Sequence, residues 1–372
     1  MKKSFQKATL LFPPLVLFSI LFLLVFSSCQ KNMNERNGPI DLNVPDKQPK
    51  TLKDFTQVNL VGNNNEYAPN RVDPLLVNAW GIAISSTGTF WVSGEGGGIS
   101  TVYDRNGNQV LADVTIPTVA ATTGGHPTGQ VFNAGLGFRL PNGNPARFIF
   151  AGADGVISAW NGGPAAIRKI SEPGEAYLGI TIATMGTDKF LYVANFSGNE
   201  IEVFDTAWNE VSMPFTDPGL PAGYAPFNIQ NVGNMLYVMY AKVGADGEEE
   251  KGPGKGYVDV YNSAGAFQKR FASNGQLNAP WGIAKAPETF WGDDLIAGRI
   301  LVGNFGDGHI NVYDSDGNFV GQLRKSGNPL VIEGLWAISF APATATAVNP
   351  NWLYFAAGPD DEEAGLFGYI TK

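Results

Sequence analysis

The sequence predicts an all-β fold, a six-bladed β-propeller whose ring is closed by a strand from the N-terminal side. Composition is the first observation. Charged residues make up only 16% of the chain and glycine contributes 46 residues, a mixture that suits short strands and tight turns better than helices or disorder. The second is a recurring phrase: an apolar strand, a glycine-containing turn, then a second apolar strand. Its front half reads "FWVSG" from Phe90, "FIFAG" from Phe148, "LYVAN" from Leu191, "LYVMY" from Leu236, "ILVGN" from Ile300 and "LYFAA" from Leu353. The third is an unmatched strand at each end of the repeat array.

The copies are spaced by about 43 to about 64 residues, the range of propeller blades with loop insertions. After each front half come "GGISTVYD", "GVISAWN", "NEIEVFD", "GYVDVYN", "GHINVYD" and "AGLFGYI". These runs are rich in Val, Ile, Tyr and Phe, which pack well on a pleated surface. Ahead of each lies an inner strand: "AWGIAIS", "PTGQVFN", "YLGITIA", "PFNIQNV", "PWGIAKA" and "LWAISFA". Phrases such as "YDRNGNQV", "YNSAGAFQ" and "YDSDGNFV" place Asn, Asp or Gly where a hairpin needs positive φ. A more polar outer strand such as "FVGQL" follows, giving four strands per blade. The last blade runs out of chain after "LFGYITK". The alternating segment "DFTQVNLVG", from Asp54 to Gly62, is therefore expected to pair with it and hide the exposed edge. The propeller is assigned to 55–372. At 372 residues the chain is long for one domain, but propellers routinely reach this size.

Residues 1–28 read as a signal peptide: a basic "MKKSFQK", a long apolar run, then "SSC". Cys29, the single cysteine, stands where a bacterial lipoprotein is cut and acylated, and Phe26, Ser27 and Ser28 complete a lipobox-like sequence. An uncleaved anchor is the alternative, but Pro13 and Pro14 would disturb a spanning helix. Residues 29–54 read as lipidated Cys and flexible tether, since they are polar with scattered prolines. The expected location is thus exported, in the cell envelope, held to membrane by lipid. Removing residues 1–29 takes three lysines and no acid from a net charge of −9, leaving −12. Such a surface repels phosphate backbones, so no nucleic-acid partner is expected.

"WGIA", "FWVSG" and "ISTVYDRNG" together resemble the NHL-type propeller repeat. The longer stretches "LVNAWGIA", "AGYAPFNIQNVGNMLYVMYAK", "NAPWGIA", "LVGNFGDGHINVYD" and "NPLVIEGLWAISF" resemble an uncharacterised family of exported bacterial proteins over nearly all of residues 55–370. The resemblance implies the fold and export, and no chemistry. The acidic insert "KVGADGEEEKGPGK" and Cys29 are this chain's departures from that family.

In a propeller the connections from second to third strand, and from outer strand to the next inner strand, share one face, where ligands are expected. Candidate binding residues on this map are Trp80, Glu95, His126, Asn195, Tyr240, Trp281, Asn304 and Asp360. His126 could act as a base at neutral pH or simply hydrogen-bond backbone. Asn195 and Asn304, equivalent in blades three and five, suit turn duty or a ligand role. Glu95, Asp154, Asp307 and the run from Asp360 to Glu363 are oxygen donors of the kind Ca²⁺ takes, but they lack the spacing of a calcium loop and read as a solvated rim. No cofactor is evident. Trp80, Trp281 and Trp336 suit packing at the axis or an aromatic platform. No GxSxG, HExxH, CxxC or P-loop is present. Two functions follow: a lipid-anchored binding or scaffold module for a protein, peptide or glycan, or a metal-dependent lactonase- or esterase-like hydrolase with one ion among Glu95, Asn195, Asn304 and Asp360. A purely structural envelope protein is the third.

Overall fold

The computed structural model describes residues 52–294 and 296–372. The expected signal peptide, Cys29 and nearly all of the tether lie outside the described residues. No helix among the described residues is long and apolar enough to cross a membrane.

The repeat forms blades as its pattern requires. Blade one comprises Ala79–Ile84, Phe90–Gly94, Ile99–Tyr103 and Gln109–Thr115 as one antiparallel meander from axis to rim. Blade two comprises Pro127–Phe132, Phe148–Gly152, Val156–Trp160 and Ile167–Ser171. Blade four comprises Tyr224–Val232, Met235–Lys242, Gly256–Tyr261 and Phe267–Ser273. Blade five comprises Pro280–Lys285, Ile300–Asn304, Ile310–Tyr313 and Phe319–Gln322. In blade one the two middle strands are buried throughout while the outer strand is largely exposed. Flat blades bury such strands only by leaning on neighbours, which is why one copy of the phrase cannot stand alone. Between third and outer strand the chain turns on one aspartate or asparagine. Asp104 accepts from the backbone N–H groups of Asn106 and Asn108, and Asp314 does the same for Asp316 and Asn318. Asn262 holds Ala264 and Ala266 alike.

Blade three departs from the expected four strands. Tyr177–Met185, Asp188–Asn195 and Glu200–Asp205 form a three-stranded sheet. The same aspartate turn is present at Asp205, with Trp208 at φ 74° in the place glycine takes elsewhere. Beyond it only Glu210 bridges Phe204, and Val211 N–H reaches Val203. Pro214 and Pro218 follow, and proline cannot donate to a ladder.

Blade six comprises Leu335–Phe340, Leu353–Ala357 and Leu366–Thr371, and Thr56–Gly62 supplies its next strand. The pairing is antiparallel from Thr56 opposite Thr371 to Gly62 opposite Leu366, with one bulge between Asn59 and Val61. Arg71–Val72 adds a short parallel rung outside it. The closing strand is pinned from blade five as well. Phe55 stacks on Phe290 at 5.1 Å and meets Trp291 edge-on at 6.2 Å. Leu52 is buried in the same cluster, so the folded unit starts ahead of residue 55.

Around the axis the inner strands approach closely through small residues: Gly81, Gly129, Gly179, Asn228, Gly282 and Ala337 stand at the same place in each blade. A Cβ on Gly81 would lie 2.4 Å from the Thr128 carbonyl oxygen, and one on Gly282 2.7 Å from that of Trp336. Both obstacles are backbone and belong to the next blade. Gly81→Ala is therefore expected to destabilise the ring by about 1–3 kcal/mol, read as a lowered thermal midpoint. Hydrogen bonds stitch the same seam: Gln130 donates to the Gly81 carbonyl at 2.9 Å and Asn228 to that of Trp281 at 2.8 Å.

Candidate functional site

The residue ahead of each small one forms a layer across the axis: Trp80, Thr128, Leu178, Phe227, Trp281 and Trp336. Trp336 is its centre. It stacks on Trp80 at 3.6 Å and on Phe305 at 3.7 Å, and meets Trp281 edge-on at 6.1 Å. Phe196 and Phe305 join from the ends of the second strands. Trp80 and Trp281 are 6% and 4% exposed, so their ring faces serve the layer and present no open platform. The Trp281 indole donates to the Leu178 carbonyl at 3.2 Å.

Over this layer, polar groups from four blades converge. Asn78, just ahead of the first inner strand, is buried with φ 47°. Its Oδ1 accepts from the Trp336 indole at 2.9 Å, and its Nδ2 donates to Glu362 at 2.7 Å and Glu95 at 3.2 Å. The amide thus ties the aromatic layer to two carboxylates. Glu362 reaches it because Asp360, Asp361 and Glu362 all take left-handed backbone, at φ 58°, 46° and 71°. Three such residues in succession are costly outside glycine. Bonds from Glu363 N–H to the Asp360 carbonyl and from Asp360 N–H to Glu333 hold the turn. Asp360, the residue picked from sequence, remains exposed at the rim, and its neighbour two places on is the one turned inward.

Glu95 also meets His126, with Oε1 2.6 Å from Nδ1. The carboxylate fixes Nδ1 as the protonated nitrogen of the neutral ring and leaves Nε2 as the acceptor. Asp154 lies near this pair. Both its carboxylate oxygens are buried without a hydrogen-bond partner, and burial raises its pKa above the ordinary value while His126 and Arg168 oppose the shift. The acidic insert of blade four completes the cluster. Glu250 bridges Lys242 at 2.7 Å and also pairs with Lys255, and Gly252 N–H donates to the Asn278 side chain at 2.6 Å. The insert so held places Lys251 over the Phe305 ring, Nζ 4.3 Å from its centroid. Burial, with Glu362 and Glu248 adding, pushes the Glu249 carboxyl up to about 7. Burial likewise raises Glu362, opposed by Asn78 and Lys251.

The folded pKa of Glu249 stands above the ordinary 4.5, so its stabilising contribution is full below pH 4.5 and lost as pH rises through about 7. Glu249→Gln is expected to raise the thermal midpoint at pH 8 and leave it unchanged near pH 4, which melting curves at the two values check.

The other candidates stand elsewhere. Tyr240 is not on the loop face: it is buried between blades three and four, its hydroxyl 2.8 Å from that of Tyr261. Residue alternation places it on the blade surface, because the strand runs two residues further before the insert begins. Asn195 is buried and its amide is used locally, donating to Glu202 at 2.7 Å and accepting from Gly198 N–H at 2.8 Å. Asn304 donates to the Gln276 carbonyl at 2.7 Å and to Asp307 at 3.0 Å, and its buried Oδ1 has no partner. His309 pairs with Asp307 at 3.2 Å. Among the described residues no group of three or more His, Cys, Asp or Glu side chains could hold a metal ion. Asn195 and Asn304, considered as ligands together with Glu95 and Asp360, thus have their amide nitrogens engaged within the protein. Asn78, Glu249 and Lys251 were not among the candidate residues, and Glu362 entered only as part of the run from Asp360 to Glu363. Asn78 had a signal: "VNAWGIA" and "NAPWGIA" repeat the asparagine ahead of two inner strands, and Asn278 is likewise buried there.

Comparison with known proteins finds relatives of the chain. Uncharacterized protein L690 of Acanthamoeba polyphaga mimivirus is 34% identical over 333 residues, covering 84% of this chain and 84% of its own. Uncharacterized protein R648 of the same virus is 32% identical over 342 residues, covering 87% and 82%. The chain belongs to the family of these proteins. The relatives are viral, so they lend no support to the bacterial origin that the resemblance implied. No protein-family model matches the chain. Among solved structures, virginiamycin B lyase from Staphylococcus aureus is 13% identical with a TM-score of 0.49, over 86% of this chain and 99% of that one. The gluconolactonase XC5397 from Xanthomonas campestris is 14% identical with a TM-score of 0.47, over 79% and 86%. At that distance the likeness bears on neither substrate nor mechanism.

Proposed function

We propose that the chain is a binding module that seats a peptide or protein ligand on its loop face, above the aromatic layer. One observation carries the reading. The axis is filled by Trp80, Trp281, Trp336, Phe227 and Phe305, while Glu95, His126, Glu249, Lys251 and Glu362 from blades one, two, four and six gather directly over it. Rigid strands beneath convergent loops are the usual arrangement of a recognition surface. The opposite face offers a different feature, a cleft of about 1030 Å³ between blades one and two lined by Trp91, Phe132, Arg147 and Phe148. A peptide and glycan array separates the two. Signals are expected to disappear in the double variant E95Q/E362Q and to persist in L136S, a variant of the exposed Leu136 on the opposite face. The reverse pattern would move the site to the opposite face.

The contact between Glu95 and His126 favours a second reading, hydrolysis with His126 Nε2 as general base and Glu95 as its positioning residue. Lactone and ester turnover above that of H126A would support it. The binding module predicts none. We also propose that the chain is exported and lipid-anchored at Cys29. Labelled fatty acid should be absent from C29A, and its presence there would contradict the anchor.

A further inference from the structure

We propose that the loop-face site recognises an alkylammonium group, and that Lys251 of the insert occupies it as an internal stand-in for that ligand. The inference rests on the binding reading above and names its ligand chemistry. Phe305 has one ring face against Trp336 at 3.7 Å. The ammonium of Lys251 lies 4.3 Å from the centroid of the same ring. Glu249 and Glu362 are both near enough to Lys251 to be lowered by its charge, and Glu95 and Glu248 act on Glu362 in turn. An aromatic floor with carboxylate walls is the environment in which cations bind to rings, through the negative ring face and the surrounding charge. The chain's own net charge of −9 favours a cationic partner at long range.

Lys251 is suited to leave as well as to occupy. Its side chain is exposed, and the insert carrying it is held at its base by Glu250 with Lys242 and Lys255, so the arm stays anchored when Lys251 is changed. Gly252 and Gly254 follow at φ 154° and 77°, backbone that suits glycine and lets the arm bend back over the ring. Phe305 is buried with one ring face on Trp336 and the Lys251 ammonium over the ring, so moving the ammonium frees ring surface for a ligand.

The test uses the whole chain with two probes that share one carbon chain: acetyl-lysine methylamide and acetyl-norleucine methylamide, which lacks the ammonium. Titration calorimetry is expected to show the lysine probe binding K251Q about tenfold more tightly than the unsubstituted chain, the scale of one competing cation–π contact. The norleucine probe should show no gain. E362Q added to K251Q keeps an acceptor for Asn78 and should abolish the gain without lowering the thermal midpoint. Equal gains for both probes would overturn the inference, because the opening would then be merely apolar. No gain for either would also overturn it. Neither result touches the broader reading, which the array comparison of E95Q/E362Q with L136S decides.

Discussion

A chain beginning at Asn63 is expected to lose cooperative folding. The deleted segment carries Leu52, Phe55, Leu60 and Val61, all buried, and the strand that pairs with Leu366–Thr371. Burying one such side chain contributes about 1.5–3 kcal/mol, so the loss is on the order of 8 kcal/mol. Net stabilities of domains are only about 5–15 kcal/mol, so this loss removes most or all of it. The bared edge of blade six would add aggregation to instability. Circular dichroism and sedimentation of the truncated chain check both effects. The register suggests the rescue: Thr56 stands opposite Thr371, so residues 55–62 joined after Lys372 by a short glycine linker would form a hairpin with the last strand. Recovery of a cooperative transition is expected, and its absence would mean that the segment matters for another reason.

Trp336→Ala carries the second large effect. Trp336 is 1% exposed and touches Trp80, Phe227, Trp281 and Phe305, side chains from blades one, four and five. Truncating a buried tryptophan costs about 3–5 kcal/mol through lost transfer energy and the cavity left behind. A further cost follows from chemistry: the indole is the donor that fixes Asn78 Oδ1, and Asn78 in turn holds Glu95 and Glu362. The variant should therefore lose both its near-ultraviolet aromatic signal and its loop-face binding. Trp336→Phe keeps the packing but not the N–H. It should recover most of the stability while binding stays weak, which separates the two roles.

Most of the ring was legible because propeller blades write themselves as a local pattern. Strand, glycine turn and strand recur at a fixed place, and the aspartate turns at Asp104 and Asp314 stand in phrases that announce them. The closing strand was legible as a deficit, since blade six ended before its outer strand. Blade three was misread because its turn carries Trp208 in place of glycine, and the following prolines remove a strand that the repeat led one to expect. The candidate site was legible only in part. Glu95 and His126 are adjacent in blades and were both picked, and the structure brings them together. Glu362 was passed over for Asp360 because which acid of a run turns inward depends on three left-handed backbone angles that no spacing shows. Lys251 lies in a charge run whose ordinary meaning is a solvated loop. Its contact with Phe305 comes from how the insert folds back, held by the bond from Gly252 N–H to the Asn278 side chain.

Ring closure by the N-terminal strand is the claim on which the blades, the layer and the site over it all depend. Amide hydrogen exchange of the whole chain tests it most directly. Peptides spanning 56–62 and 366–371 should be protected to the same degree as the buried middle strands 90–94 and 300–304. Rapid exchange of 56–62, with 90–94 and 300–304 still protected, would contradict it.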